Sequence, residues 1–140
     1  VNNFNNEVTI MSEMSNYLEN ALLNGTLNAT TYTAPTTVYV SLWTSNPNDD
    51  GSGTEVSGGS YARVAVSFAT ATGTSGQVLN DATVEFATAT AGWGVVGWIG
   101  INDALSGGNL MYHTALDTAK TIDSGDIFKI ATGNLSVTLA

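Results

Sequence analysis

From residue 36 onward, apolar and polar positions alternate with a period of two, the signature of half-buried β-strands. Val38, Val40 and Leu42 alternate with Tyr39, Ser41 and Trp43. Between Tyr61 and Phe68 the residues Ala62, Val64, Val66 and Phe68 fall on one side and Arg63 on the other. Val84 and Phe86 continue the scheme, and Gly94 to Ile101 is apolar enough to predict a central strand covered on both faces. Leu110 to Ala115, Ile127 to Ile130 and Leu135-Val137-Leu139 complete the set. The turn signals between them are rich in Gly, Asn and Asp: 46–51, Gly58-Gly59, 73–76, 106–109, 123–126 and Gly133-Asn134. Seven to eight short strands separated by such turns predict a mainly β, antiparallel β-sandwich or jelly-roll-like domain. No repeat of fixed period runs through the chain, which argues against solenoids, propellers and repetitive shafts.

Only one segment has a helical period. Met14, Leu18 and Ala21/Leu22 draw a single apolar stripe over Ser15 to Asn24, with Ser15 as N-cap and Gly25 placed for a left-handed C-terminal residue. A helix this short needs a surface to pack on. Its polar face carries Glu19 and asparagines without a base, so it is not a membrane-surface helix. The pattern therefore predicts an N-terminal arm over 1–13 and one β-sandwich domain over 14–140 with its helix at 15–24. The arm is either a frayed terminus or an extended segment ordered on a neighbouring subunit through Phe4, Val8 and Ile10.

Composition narrows the chemistry. The 140 residues suffice for one core, and charged residues are 11% of the chain against roughly 25% in an ordinary soluble domain. Three bases, Arg63, Lys120 and Lys129, face twelve acids, for a net charge of −9. A chain this acidic has no electrostatic footprint for nucleic acid. There is no cysteine, and His113 is the one histidine, so thiolate chemistry and multi-histidine metal sites are excluded. No apolar run is long enough for a membrane helix, and the given sequence does not open on a signal-peptide pattern. Thr, Ser and Asn supply 20, 12 and 14 residues, a surface suited to packing against other protein.

Candidate chemistry is sparse, and the reading is of no catalytic residues, no metal site and no cofactor. His113 shares a strand face with Met111, with Asp117 four residues on, but no serine stands in a nucleophile elbow. The acids lie mostly in turns, where Asp bonds the local backbone; Glu85, inside a strand, is the exception. Asn46-x-Asn48-x-Asp50-Gly51 resembles half of a calcium loop but has Ser57 where the bidentate Glu belongs. The Asn-x-Ser/Thr triplets at Asn24, Asn28 and Asn134 are expected by chance in this composition. The glycine-rich stretches at 51–53 and 58–59 lead into no helix and carry no lysine, so they cradle no phosphate. Trp43, Trp93 and Trp98 are core or interface aromatics, or a platform on which a sugar stacks.

Several ordered motifs carry a resemblance. They are Ser15-Asn-Tyr-Leu-Glu-Asn-Ala-Leu-Leu23, the stretch Tyr32 to Pro47, Gly53-Thr-Glu-Val-Ser-Gly-Gly-Ser-Tyr-Ala-Arg63, Trp93 to Leu116 with its Gly-Ile-Asn-Asp-Ala and Ser-Gly-Gly-Asn-Leu, and Ser124-Gly-Asp-Ile-Phe-Lys129. From about Met14 to Ala140 the chain resembles a family of small tailed-bacteriophage virion proteins often labelled phage tail fibre proteins, some of which resemble head cement proteins. The resemblance implies a non-enzymatic β-sandwich present in many copies on a virion. The preferred expectation is a cement or decoration protein on the outer capsid surface, made in the host cytoplasm. It would clamp neighbouring major capsid protein subunits and contact copies of itself, as a homotrimer, with no nucleic acid or membrane partner. The alternative is a tail fibre or tail-tip module that binds the host. The residues assigned to contacts are Phe4, Val8 and Ile10 in the arm, Arg63 beside the 46–60 loop, and Trp43, Trp93 and Trp98.

Overall fold

A computed structural model describes residues 2–6, 9–11 and 13–139. Outside the arm it has eight strands, seven at the segments where the alternation places them and β6 in addition: β4 (Val38–Trp43), β5 (Val64–Val66), β6 (Gln77–Leu79), β7 (Val84–Glu85), β8 (Gly94–Asn102), β9 (Leu110–Ile122), β10 (Ile127–Ile130) and β11 (Leu135–Thr138). Three further short strands lie in the segment read as an arm: β1 (Asn3–Asn6), β2 (Thr9–Met11) and β3 (Glu13–Met14). The helix α1 spans Asn16–Leu27.

The strands form a sandwich. One layer is a five-stranded antiparallel sheet in the order β3-β9-β8-β4-β5. Opposite it stand two three-stranded sheets, β1-β10-β7 and β2-β11-β6. Side chains from all three meet in one core that includes Val40, Leu42, Val96, Ile99, Phe128, Ile130 and Leu135. The alternation in β4 sorts its side chains as expected: Val40 and Leu42 enter the core, while Ser41 and Trp43 face the other way.

The arm is the main departure from an all-antiparallel scheme. β1 and β2 add in parallel to β10 and β11, with Phe4 opposite Phe128 and Ile10 opposite Ser136. The two strands cover backbone edges that β10 and β11 would otherwise leave open. Phe4 packs against the core and lies under the Lys120 ammonium, 5.9 Å from the ring centroid. Val8 lies outside the described residues.

The helix runs three residues further than its apolar stripe predicts. Ser15 caps it, its Oγ accepting from Leu18 N, and Leu18 is buried against the sheet. Gly25 stays helical; the left-handed residue is Ala29, at φ 54°. What Gly25 provides is closeness, since a Cβ there would meet Thr30 O at 3.4 Å and Tyr32 Cβ at 3.6 Å where the chain doubles back.

Strand β8 is covered on both faces over its second half only. Ile99 and Ile101 enter the core; Gly100 and Asn102 face outward and are also buried, beneath Trp43 and Leu110. Gly94 and Val95, at the other end, are exposed. A Cβ on Gly100 would lie 2.8 Å from Leu110 Cδ1 and from Ser41 Oγ and 3.0 Å from Trp43 Nε1, so glycine makes this outer cover possible.

Candidate functional site

The outer face of the five-stranded sheet carries the molecule's main polar architecture. Three segments rise around β8 and the start of β9: the N-terminal turn of α1, loop 46–53 and the turn 103–109. Each is tied down by its own side chains. In loop 46–53, Asn46 Oδ1 accepts from Asn48 N at 2.9 Å, Asn48 Nδ2 donates to Ser52 Oγ at 3.0 Å, and Asp50 Oδ1 accepts from Ser52 N at 3.0 Å. The Asn46 and Asp50 oxygens that suggested half a calcium loop therefore accept from the loop's own backbone, as Asx turns do. Gly53 closes it, because a Cβ there would sit 2.2 Å from Asn46 O. In the other turn, the Asp103 carboxylate takes both Asn109 N, at 2.7 Å, and Asn109 Nδ2, at 2.8 Å.

Arg63 joins these parts from below. Its Nε and Nη2 bind both oxygens of Glu55, at 2.8 and 2.7 Å, and its Nη1 donates to Ala104 O and Gly107 O, each at 2.8 Å. The hydrogen bonds to Glu55 hold the guanidinium pKa above its ordinary value. Tyr61 adds a third contact, donating from its hydroxyl to Glu55 Oε1 at 2.8 Å while accepting from Leu42 N. Burial pushes the Tyr61 phenol far above its usual range, so it stays a donor. Arg63, assigned to contacts with a partner, is thus an internal pin for the 103–109 turn.

The other bases are also engaged. Lys129 Nζ lies 3.0 Å from Glu85 Oε2 across the β7–β10 pair, a partner for the strand acid that the alternation pointed to; Glu13 in β3 and Asp117 in β9 are strand acids as well. His113, 2% exposed, is hydrogen-bonded through Nε2 to Asp49 at 3.0 Å, while its Nδ1 lies 3.3 Å from Glu13 without a hydrogen bond. It links loop 46–53 to β3, and its two neighbours are carboxylates; Asp117, four residues on, is exposed and is not among its contacts. Among the described residues no group of three or more His, Asp or Glu side chains is placed to hold a metal ion.

The three tryptophans occupy three different environments. Trp93 belongs to the core, its ring edge-on to Tyr61 and Phe86 at 5.4 and 6.2 Å and its Nε1 donating to Gly59 O. Trp43 is buried under the outer cover and donates to Ser41 Oγ at 2.8 Å. Trp98, its cross-strand neighbour, is half-buried. Of the assigned residues, Trp43 and Arg63 line one cleft and Trp98 pairs with Trp43 across β4 and β8, while Phe4 faces the core from the other layer. The sequence reading did not single out Asn102 or Tyr17, which line the same cleft. A polar residue at the buried end of an apolar strand is the signal that marks Asn102.

Asp126 governs how the arm is held. Asp123 N donates to its Oδ2 at 2.9 Å and Asn2 N to its Oδ1 at 3.0 Å, and these backbone bonds lower its pKa below the carboxylate norm. A depressed folded-state pKa means the stabilisation is present above about pH 4 and is lost as pH falls through the lower, folded value. Acidification from about pH 5 to about pH 2 is therefore expected to lower the protection factors of the Asn2 and Asp123 amides, taken against intrinsic exchange at each pH, before the core opens. In Asp126→Asn that early step should vanish, because exchange at both amides is already fast at neutral pH.

The structure defines a β-sandwich module whose charged side chains mainly pin its own loops. Residues 13–138 match the family model described as Podophage GP4 fiber I protein gp80. The match spans most of the chain, so the chain belongs to that family and is a phage structural protein. No curated protein matches the chain.

Proposed function

We propose that this chain is a non-enzymatic structural subunit of a phage virion, built into its fibre as a compact β-sandwich block that associates with copies of itself. The observation that carries the reading is the match over 13–138 to a family described as a fiber protein. The site geometry supports it: His113 sits between two carboxylates, whereas nucleophilic catalysis needs a base bonded to a nucleophile. The surface also suits assembly, with Leu23, Leu27, Val95 and Leu105 exposed on a chain of low charge density.

The other placement is a cement role on the outer capsid surface, as a homotrimer clamping the major capsid protein. Its physical ground stands, since a single sandwich without repeats is no shaft. A fibre role accordingly casts the chain as a block at an end or joint of the fibre, repeated by self-association rather than by internal repetition. Copy number separates the two placements. A handful of copies per particle by gel densitometry, with antibody label at the tail, is the expected result. Hundreds of copies with label over the head would overturn the fibre placement and favour the shell clamp.

A further inference from the structure

A cleft of about 550 Å³ opens on the outer face of the five-stranded sheet, between α1, loop 46–53 and the 103–109 turn. Trp43, Asn102 and Leu110 line it, together with Tyr17, which is 42% exposed. A chain of hydrogen bonds determines what the cleft offers. The Trp43 indole N–H can only donate, and it donates to Ser41 Oγ at 2.8 Å. Ser41 has one hydroxyl proton, which it gives to Asn102 Oδ1 at 2.7 Å. The Asn102 amide has its oxygen toward Ser41, which leaves its Nδ2 free. Asn102 is 3% exposed, and among the described residues its Nδ2 has no protein acceptor. The Nδ2 is not among the buried side-chain atoms without a partner, so it reaches solvent and is open to an acceptor placed in the cleft.

The surroundings restrict the ligand. Asp49, Asp50 and Glu55 stand around the opening, and the Arg63 guanidinium that would draw an anion is taken up by Glu55 and two carbonyls. Hydrogen bonds from the Ser52 side chain and backbone hold the Asp50 carboxyl below the usual carboxylate range, which keeps it an acceptor. A matching ligand has an oxygen for Asn102, hydroxyl protons for Asp50, no negative charge, and an apolar face for the Tyr17 ring.

The geometry points to a binding site for a neutral, hydroxyl-rich ligand, one sugar residue of a glycan, anchored on Asn102 beside Trp43 and flanked by Tyr17 and Asp50. The site is independent of whether the chain sits in the fibre or on the shell.

The test is a titration of the isotope-labelled full chain, followed by NMR, with N-acetylglucosamine, glucose, galactose and rhamnose. Each is taken to about 50 mM, well above millimolar affinity. At least one sugar should move the Asn102 side-chain amide and the Trp43 indole resonance together and saturably. Tyr17→Ala, which alters an exposed side chain, should weaken that binding about tenfold. Asn102→Asp, which keeps the acceptor for Ser41 and removes the donor, should abolish it. The inference is overturned if none of the four moves these resonances, or if the sugar that does binds both variants as tightly as the parent. Inorganic phosphate moving the same resonances saturably would overturn the neutral class.

Discussion

Trp93→Ala lowers the unfolding free energy by about 3–5 kcal/mol, the cost of removing a large aromatic side chain from a packed core. Trp93 is 5% exposed, and both Tyr61 and Phe86 present edges or faces to its ring. Its indole nitrogen also satisfies Gly59 O at 2.9 Å, a carbonyl that Ala would leave without this donor. Gly59 itself cannot close the gap, for at φ +56° it is already 2.7 Å from Ala91 O at its would-be Cβ. For a domain of this size the loss corresponds to a fall in melting temperature on the order of 10–20 °C, read by calorimetry. Trp98→Ala, at a half-buried position, should cost about 1 kcal/mol. If Trp93→Ala kept its melting temperature and weakened only assembly, the residue would be a contact after all and the core assignment would fail.

The second large effect is expected at Glu55. Its carboxylate receives three donors, two from Arg63 and one from Tyr61, and the Arg63 side chain is only 8% exposed. Removing the carboxylate leaves a mostly buried guanidinium facing no charge, which is costlier than removing both partners together. Glu55→Ala should therefore destabilise by about 3 kcal/mol, the low end for a buried pair because Glu55 itself is 23% exposed. Adding Arg63→Met to Glu55→Gln should restore much of the loss relative to Glu55→Gln alone, a coupling that a double-mutant cycle in urea resolves. Amide exchange in the 103–109 turn should rise in Glu55→Ala, since Arg63 connects that turn to Glu55. A cost no larger than that of Asp117→Ala, an exposed acid, would refute the pin.

These two residues show how far local pattern reaches. The alternation around Arg63 correctly put Val64 and Val66 toward the core and Arg63 away from them. It did not reveal that Glu55 waits eight residues earlier, since a loop connects them and loops have no period. Trp93 lies just outside β8, in a glycine-flanked stretch that reads equally as exposed platform or as core. Its environment is set by Tyr61 and Phe86, from separate parts of the chain.

The arm and the cleft repeat the point on a larger scale. Asn2, Asn3, Asn5 and Asn6 around Phe4 have no strand period, so the segment reads as an extension beyond the domain. Its strands exist because β10 and β11 present open edges, and backbone pairing does not depend on side-chain alternation. Likewise, Asn102 and Ser41 are unremarkable polar residues in sequence. They become one hydrogen-bonded chain with Trp43, beside a cleft that Asn102 lines, only when β4 and β8 pair.

The sequence by itself determined the class: strands from the two-residue period, turns from glycine and asparagine, one capped helix, and an acidic, cysteine-free surface. Each of these depends on residues within a few positions of one another, where sterics and burial act directly. The tertiary structure alone decided which polar groups are bound internally and which are left facing a cleft. Those partners lie tens of residues apart, and only the packing of one sheet against its loops brings them within hydrogen-bonding distance.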